Sequence, residues 1–323
     1  MDTRLACSIG QPTREHGAPL VITAPGKVNL HLSIGPLRSD GYHELVTLFH
    51  AVSLADEVVL TKSEQLVVTA EGEGADRVPL DETNLAARAA QLLAREIGVA
   101  PNVHLHLRKR IPVAGGMAGG SADAAATLVG CDSLWGANLP TARLLDLAAE
   151  LGSDVPFTLL GGTATGLGRG EKLTPVGVAG ALQWVFAVAK TGLSTPAVYQ
   201  ESDRLRKTGR LGPGPALSQH LLDALSAGDV RAVGAALHND AEPAVYSLRP
   251  ELRQVLRVGK DAGAIAGLIS GTGPTCAFLV EDLMIARRVE SALTTSLLCR
   301  KVRVAHGPVL GPLAMREALQ RDA

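Results

Sequence analysis

Residues 112–128 read PVAGGMAGGSADAAATL, in which two pairs of glycines and one serine come before a run of alanines. The segment 102–112 alternates apolar and polar residues, which predicts a strand, and Ser121 to about Trp135 predicts a helix. A glycine loop between a strand and a helix lets the backbone approach an anion at the positive end of the helix dipole. The stretch therefore has the form of a phosphate-binding loop, although a structural turn explains the local pattern equally well.

Two better-known nucleotide motifs do not fit this stretch. A P-loop needs a lysine directly after the glycines, and none follows them here. A dinucleotide fingerprint needs an acidic residue at the end of a second strand, which is missing at the required distance. If the loop binds a phosphate, it does so in another way.

Composition limits the classes of protein to which the chain can belong. The chain has 323 residues, of which 46% are hydrophobic, and this is enough for one large or two ordinary globular domains. A net charge of −1 and 3% aromatic residues favour neither nucleic acid nor an anionic membrane as a partner. The most apolar stretch, 177–189, is too short to span a bilayer. Four widely separated cysteines and a start without a signal-peptide pattern predict a cytoplasmic protein: Cys7, Cys131, Cys276 and Cys299.

Strands and helices alternate along both halves of the chain. Strands are predicted at 27–35, 45–54, 57–63, 66–72, 102–112 and 183–190, with a strand–turn–strand unit over 264–282. Helices are predicted at 81–98, 121–135, 141–152, 195–207, 217–227, 229–238 and 248–263, with a last long helix from 284. Residues 154–176 are interpreted as short strands and turns. The pattern predicts an α+β fold with a poorly ordered leader (1–20) and two domains, 21–178 and 179–323.

Three further stretches contain candidate functional residues. In APGKVNLHL (24–32), Lys27 and Asn29 are two apart on a strand and share a face, although a strand lysine is more often a solvated edge residue. In LGSDVPF (151–157), Asp154 is either a helix cap or a carboxylate suited to general-base work. SGTGPTCAFLV (270–280) is either a simple hairpin or a second loop that brings backbone amides to a phosphate. GLGRG (166–170) is too short for a nucleotide fingerprint.

In their order along the chain, these stretches resemble the motifs of the GHMP kinase superfamily. PVAGGMAGGSAD is similar to its phosphate-binding motif, SGTGPTCAF to its C-terminal glycine motif, and LHNDAEPAV (237–245) to an Asn-Asp-x-Glu stretch. The resemblance extends over residues 22–295. It implies an N-terminal ATP-binding domain like domain 2 of ribosomal protein S5, and a ferredoxin-like C-terminal domain.

The segment 24–49 narrows the resemblance. Its Lys-x-Asn pair and the following R-x-D-G-Y-H-x-L resemble the branch of the superfamily that phosphorylates a cytidine diphosphate-linked methylerythritol on the non-mevalonate route to isoprenoids. Kinases of other small alcohols, such as mevalonate or homoserine, are the alternative within the superfamily. A non-catalytic nucleotide-binding protein of the same fold is the alternative outside enzymes.

The resemblance implies a role for each matching residue, with ATP and Mg²⁺ as cofactors. Asp154 takes the proton of the acceptor 2-hydroxyl, and the nearby cation of Lys27 holds Asp154 ionised. Ser121 contacts phosphate or Mg²⁺. The predicted ATP-binding residues are Asn84, Lys109, Pro112, Val113, Ala114, Gly115, Gly116, Met117, Ala118, Gly119, Gly120, Ser121 and Ala122.

On the acceptor side, the resemblance implies two walls around a small-molecule substrate. Asn29 lies near the reacting hydroxyl, and Tyr42 and His43 hold the cytidine end. Thr195, Pro196 and Tyr199 line the second wall. The expected form in solution is a monomer or a weak homodimer.

The glycine loop departs from the family pattern at three positions. Met117 stands where a leucine is usual, which is a mild apolar change. Ala122 replaces a common second serine, so Ser121 has a larger share of any hydroxyl contacts. Asp123 replaces an asparagine and either adds negative charge near the phosphates or contacts Mg²⁺ or the ribose.

Overall fold

Two β-sheets organise the chain in the computed structural model, which describes residues 18–39, 41–209, 216–314 and 316. Nearly all of the predicted leader, 1–20, lies outside the described residues. The strands are β1 Leu20–Leu37, β2 His43–Lys62, β3 Val67–Gly72, β4 Val103–Lys109, β5 Thr163–Gly168, β6 Lys172–Pro175, β7 Leu182–Val188, β8 His238–Asn239, β9 Ala266–Ile269, β10 Cys276–Val280 and β11 Lys301–Gly307. The helices are α1 Leu85–Ile97, α2 Gly119–Leu134, α3 Thr141–Leu151, α4 Val155–Leu160, α5 Thr195–Lys207, α6 Gln219–Ala227, α7 Val230–Ala236, α8 Glu242–Leu248, α9 Leu252–Asp261 and α10 Leu283–Ser296.

The first sheet is built around the long antiparallel pair β1 and β2. On its other side, β2 pairs with β5 through its first half and with β4 through its second half. The prediction of separate strands at 45–54 and 57–63 was wrong, because β2 is continuous across this interval. The register between β1 and β2 shifts at a bulge at Pro25/Gly26, and the pairing resumes beyond it. β8 joins the edge of β1 in parallel, so a segment from the second half of the chain completes this sheet.

The second sheet has the order β11-β7-β10-β9, and every pair in it is antiparallel. β7 is the buried strand predicted from 183–190, and α9 and α10 pack against this sheet. The last predicted helix is α10, but the sequence analysis missed β11 beyond it. Exposed charged residues such as Lys301 are typical of an edge strand and hide its apolar alternation.

Helix α2, which follows the glycine loop, is buried on nearly all sides. It packs against β1 and β2 on one side and against α1 and α4 on the other. Every residue from 122 to 132 is buried, since alanine and glycine side chains let these neighbours approach closely. The phosphate-loop helix is therefore part of the core.

Two helices were missed in the sequence. Residues 155–160 form α4, where strands and turns were predicted, and residues 242–248 form the unpredicted α8. Both helices have a proline in the first turn, Pro156 and Pro243, where the missing N–H has no helical partner in any case. Proline therefore marks the start of these helices and does not break them.

No helix among the described residues is long and apolar enough to cross a membrane. The predicted domain boundary between 178 and 179 falls between β6 and β7, at the change from the first sheet to the second. The position of that boundary stays a prediction.

The packing of α2 against β2 can be tested at Gly130. A Cβ added to Gly130 would overlap the Cδ1 atom of Leu60 on β2, so Gly130→Val forces extra carbon atoms into a full core. We expect a loss of about 1–3 kcal/mol in the free energy of unfolding, measured by chemical denaturation. Ser133→Val, at a half-buried position of the same helix, controls for the helix propensity of valine. Equal losses in the two variants would contradict the packing argument.

Candidate active site

A cavity of about 860 Å³ opens between the glycine loop (residues 112–120), the middle of β1 and the start of α5. It brings together almost all of the residues that the sequence analysis named. The predicted residues that line it are Lys27, Asn29, Tyr42, His43, Asn84, Lys109, Pro112, Val113, Ala114, Gly115, Gly116, Met117, Ala118, Gly119, Gly120, Asp154, Thr195, Pro196 and Tyr199. A volume of this size suits a small-molecule ligand.

Lys27 and Asp154 face each other inside this cavity. Asp154 occupies the N-cap position of α4, but its side chain makes no capping hydrogen bond. Its Oδ2 atom lies 3.9 Å from the Nζ atom of Lys27, and the side chains are 31% and 6% exposed respectively. Burial lowers the pKa of Lys27 below its usual value, and the charge of Asp154 partly opposes this shift. The carboxylate is thus open to a ligand while its cationic partner is enclosed.

A chain of hydrogen bonds orients Asn29 between Lys27 and the sheet. Lys27 Nζ donates to Asn29 Oδ1 at 2.7 Å, and Asn29 Nδ2 donates to Thr47 Oγ1 at 2.8 Å. Thr47 Oγ1 in turn donates to the carbonyl oxygen of His31 at 2.8 Å. The prediction that Lys27 and Asn29 share a face is confirmed, and the amide has one fixed orientation.

The glycine loop has a tightly curled backbone. Ala114, Gly116 and Ala118 have φ values of 54°, 76° and 60°, all in the left-handed region. Such strain at alanine persists only where the surrounding structure holds it. Met117 holds the loop in this conformation in two ways. Its carbonyl oxygen accepts a hydrogen bond from the backbone N–H of Lys27 at 3.2 Å, and its side chain is fully buried in the core.

The turn between β9 and β10 (residues 270–275, the glycine turn) packs directly on the glycine loop. Ser270 Oγ donates to the carbonyl oxygen of Gly116 at 3.1 Å. A Cβ on Gly116 would overlap the carbonyl oxygen of Ser270, and a Cβ on Gly271 would lie 2.9 Å from Lys27 Nζ. Gly271 and Thr272 line the cavity. The turn joins two strands and also forms a wall of the cavity, while its predicted contact with a phosphate stays a prediction.

The Asn-Asp-x-Glu stretch holds the glycine turn in place. Asn239 Nδ2 donates to the carbonyl oxygens of Ile269 at 2.7 Å and Gly271 at 2.8 Å. Glu242 Oε1 accepts from the N–H of Ile269 at 2.8 Å. Asp240 Oδ2 accepts from the N–H of Ile34 on β1 at 2.9 Å. This stretch therefore acts at a distance from the cavity, by fixing the turn to β1.

Lys109, at the entrance of the glycine loop, bridges two buried carboxylates. Its ammonium group contacts both Asp56 and Asp123. Burial opposes the charged form of Lys109, but the two carboxylates outweigh this effect and raise its pKa. Burial also raises the pKa of Asp123. Asp56 Oδ1 accepts from the backbone N–H groups of Arg110 at 2.6 Å and Ile111 at 2.8 Å, which fixes the start of the loop.

Asp123 is thus paired with a cation and does not face the cavity as a free charge. Its Oδ1 atom has no hydrogen-bond partner within the described part of the chain, and Asp123 lines the cavity. The predicted contact of Lys109 with a nucleoside stays a prediction.

Asn84 begins α1 at another wall of the cavity. Its Oδ1 atom accepts from the N–H of Ala86 at 2.8 Å, and its Nδ2 atom donates to the carbonyl oxygen of Pro79 at 2.6 Å. Asn84 is therefore the N-cap of α1. Its predicted nucleoside contact is untested.

Ser121 and Ala122 are the predicted site residues that do not line this cavity. Ala122 is fully buried in the core. The carbonyl oxygen of Ser121 accepts from Thr158 Oγ1 at 3.1 Å, which ties α2 to α4. The predicted contact of Ser121 with phosphate or Mg²⁺, and the predicted place of Ala122 in the ATP site, stay predictions.

Aromatic rings line the cavity where the start of β2 meets α5, and this part is called the ring end below. The His43 ring stacks on Tyr199 with a centroid distance of 4.9 Å and an interplanar angle of 12°. Burial, with a smaller effect from the charge of Asp154, raises the pKa of Tyr199 to about 12, so its hydroxyl stays protonated. Thr195 Oγ1 lies 2.8 Å from Thr272 Oγ1, which joins the start of α5 to the glycine turn.

Two charged residues that the sequence analysis did not name also line this end. Arg169 lies in GLGRG, and its guanidinium is 4.9 Å from the centre of the half-exposed Tyr42 ring. Asp203 contacts His43 Nε2 at 3.0 Å. A signal for Asp203 was present, since it follows Tyr199 by four residues on α5 and therefore lies on the same helix face.

The donor set of the cavity fits a magnesium ion bound through phosphates. No group of three or more His, Cys, Asp or Glu side chains forms a metal cage among the residues described. Magnesium in kinases needs only one or two carboxylates besides the phosphates and water. Asp154 and Asp123 supply two carboxylates on the cavity wall, and Asp123 Oδ1 is free of hydrogen bonds to the described residues.

Comparison with known proteins agrees with this arrangement. The chain matches the family model of the GHMP kinases N terminal domain over residues 84–162 and that of GHMP kinases C terminal over 221–297. The 4-diphosphocytidyl-2-C-methyl-D-erythritol kinase of Thermobifida fusca (strain YX) is 55% identical over 304 residues, which are 91% of this chain and 98% of that protein. The chain belongs to the GHMP kinase family. The enzyme of the same name from Salinispora tropica is 52% identical over 92% of this chain and 95% of that protein.

Solved structures of GHMP kinases share the fold. A crystal structure of 4-(cytidine 5'-diphospho)-2C-methyl-D-erythritol kinase matches with a TM-score of 0.74 and 34% identity, over 89% of this chain and 98% of that chain. A Cytophaga hutchinsonii homoserine kinase matches with a TM-score of 0.68 and 21% identity, over 96% of this chain and 98% of that chain, which shows the fold alone. The predicted two-domain α+β GHMP kinase fold and the assignment to kinases are confirmed.

Two glycines of the loop have different surroundings: Gly116 packs against the glycine turn, whereas Gly120 has open space toward the cavity. Gly116→Ala places a side chain at φ 76° against Ser270, so we expect it to lower the free energy of unfolding by about 1–3 kcal/mol. Gly120, in the first turn of α2, has only Leu85 Cδ1 at 3.5 Å from an added Cβ. Gly120→Ala is expected to change stability by less than about 1 kcal/mol and to weaken ATP binding, since it fills the cavity wall. Chemical denaturation measures the loss of stability, and calorimetric titration measures ATP binding. A stable Gly116→Ala variant, or a Gly120→Ala variant that loses stability but binds ATP normally, would contradict the geometry.

Proposed function

We propose that the chain transfers the γ-phosphoryl group of ATP to the 2-hydroxyl of 4-diphosphocytidyl-2-C-methyl-D-erythritol in isoprenoid precursor synthesis. The observation that carries this proposal is the 50–55% identity, over 90% or more of this chain, to enzymes named as kinases of that compound. Homoserine and mevalonate kinases share the fold at only 12–21% identity. The cavity supports the proposal because it has a carboxylate beside a cation in the middle and rings at one end.

The reaction needs a base for the acceptor hydroxyl, and Asp154 suits that role. Its carboxylate is partly exposed in the cavity and is not used to cap α4. The O–H bond of the acceptor breaks and the proton passes to Asp154 while the oxygen bonds to the γ-phosphorus. The bond from that phosphorus to the bridging oxygen breaks, and ADP leaves with the electron pair. Lys27 stabilises the negative charge on Asp154 and on the attacking oxygen, and Asn29 fixes the position of Lys27.

The glycine loop is proposed to hold the ATP phosphates. Its curled backbone and the start of α2 are rich in glycine and alanine, which lets a phosphate approach the backbone N–H groups closely. Magnesium, when bound, would neutralise phosphate charge, and Asp123, whose Oδ1 atom has no partner among the described residues, and Ser121 are the residues proposed to hold it.

The ring end of the cavity is proposed to hold the cytidine diphosphate. Tyr42 and Tyr199 offer aromatic surfaces for the base, and His43 offers a ring nitrogen for its edge. Arg169, beside Tyr42, offers positive charge toward the diphosphate.

We place the reaction in the cytoplasm, which the free thiols of Cys131, Cys276 and Cys299 support. A monomer or weak homodimer stays the expected form in solution.

The proposal is tested by the choice of acceptor. Purified protein with ATP and Mg²⁺ is assayed against 4-diphosphocytidyl-2-C-methyl-D-erythritol, methylerythritol phosphate without the cytidine part, mevalonate and homoserine. We expect turnover only with the first compound. Equal turnover without the cytidine part would support a kinase of another alcohol, and no phosphoryl transfer to any acceptor would favour a nucleotide-binding protein.

The role of Asp154 is tested by Asp154→Asn, which keeps the shape and removes the base. We expect kcat to fall by about 10²-fold or more, while ATP still binds. Asp146→Asn changes an exposed aspartate on α3 and is the matched control, expected to keep full activity. Normal turnover in Asp154→Asn would show that another group accepts the proton.

A further inference from the structure

The His43–Asp203 contact at the ring end of the cavity fixes a chemical property of the histidine. The Nε2 atom of His43 lies 3.0 Å from Asp203 Oδ1, and the two side chains are 7% and 28% exposed. An ionised carboxylate can only accept hydrogen bonds, so the hydrogen in this contact lies on Nε2. In a neutral imidazole the other nitrogen, Nδ1, is then an acceptor with a lone pair.

Asp203 contacts Arg206 as well as His43, and both contacts hold its carboxylate in position. It lies on α5, and Arg206 Nη1, one turn further on, is 3.6 Å from the same Oδ1 atom. Arg206 Nη2 also donates to the carbonyl oxygen of Ile34 on β1 at 2.6 Å. The guanidinium of Arg206 can only donate hydrogen bonds, so the Asp203 Oδ1 atom faces a donor on this side too and acts as an acceptor.

The His43 ring is equally constrained. Its stacking on Tyr199 fixes the plane of the imidazole, and its contact with Asp203 fixes the rotation within that plane. Besides Asp203, the His43 side chain has no hydrogen-bond partner within residues 18–39, 41–209, 216–314 and 316, and His43 lines the cavity. Nδ1 is therefore an oriented acceptor that is available to a ligand.

A single oriented acceptor discriminates between the two pyrimidine bases. The pairing edge of cytosine has one donor, the 4-amino group, so an acceptor on the protein pairs with that group. A uracil held in the same position has a carbonyl oxygen at that place, which would leave two acceptors facing each other, and its N3–H donor lies one ring position away. A site that hydrogen-bonds one group rejects the analogue that lacks it far more strongly than an apolar pocket does.

We propose that Asp203 is a positioning residue that sets the tautomer of His43 and thereby makes this site select a cytidine diphosphate over a uridine diphosphate. The inference rests on the proposed function, because it takes the acceptor to be a cytidine diphosphate derivative. Asp203 does not touch the reacting atoms and acts only through His43. Its removal is expected to alter the choice of base more than the phosphoryl transfer.

The experiment compares binding of CDP and UDP by calorimetry at about pH 8, where free imidazole is neutral. Wild-type protein is expected to prefer CDP. Asp203→Asn can present either an oxygen or an N–H to His43, and Asp203→Ala presents neither, so both variants are expected to lower the ratio of CDP to UDP affinity about tenfold or more. Asp203→Glu, which keeps the carboxylate, is expected to retain part of the preference. Glu201→Gln, which changes a carboxylate on the same helix that pairs with Arg204, is the control and should leave the ratio unchanged.

A second measurement does not depend on the variants folding. Nitrogen NMR of the wild-type imidazoles, with His43 assigned, distinguishes a protonated ring nitrogen from one with a lone pair. The inference requires hydrogen on Nε2 and a lone pair on Nδ1. The opposite tautomer, or an unchanged CDP to UDP ratio in folded Asp203→Asn and Asp203→Ala, overturns it. Failure of the proposed function is recognised separately, because wild-type protein would then not phosphorylate the cytidine acceptor whatever its preference between CDP and UDP.

Discussion

The site depends on a lysine ammonium group that is almost completely withdrawn from water. Burying an isolated cation is strongly unfavourable, so the surrounding structure has to replace the lost hydration. Asn29 gives Lys27 an oxygen at 2.7 Å, Asp154 gives it an opposite charge at 3.9 Å, and the Phe49 ring lies 5.8 Å from the ammonium. Each of these groups comes from a different part of the first sheet or from α4. Because the Lys27 ammonium group needs all of these contacts at once, it constrains the relative positions of β1, β2 and the start of α4.

The second half of the chain supports this arrangement from outside. The glycine turn presses against both the glycine loop and Lys27, and Asn239, Asp240 and Glu242 tie it to β1. Because β8 is also a strand of the first sheet, the two halves share backbone hydrogen bonds as well as side-chain contacts. The geometry around Lys27 therefore requires both halves of the fold.

Much of the cavity wall was predicted through the resemblance to the GHMP kinases, because the residues that carry that resemblance lie in short local motifs. Lys27, Asn29 and the glycine loop each show a pattern within about ten residues, and the cavity brings these patterns together. Asp56 and Arg169 could not be assigned in the same way, since their partners Lys109 and Tyr42 are distant in the sequence. The errors in secondary structure have local causes. Pro156 and Pro243 begin helices, and the charges of β11 hide an edge strand.

Met117 gives the glycine loop a character that its composition does not suggest. Four glycines and several alanines around one position usually confer mobility, but here the single large side chain of that segment is fully enclosed in the core. The loop therefore loses its conformational entropy when the chain folds and not when a nucleotide arrives. A surface that is already ordered binds more tightly than one that must first become ordered, since less entropy is lost in the complex. The glycines therefore let a ligand approach the backbone closely, and the buried side chain of Met117 keeps the loop ordered.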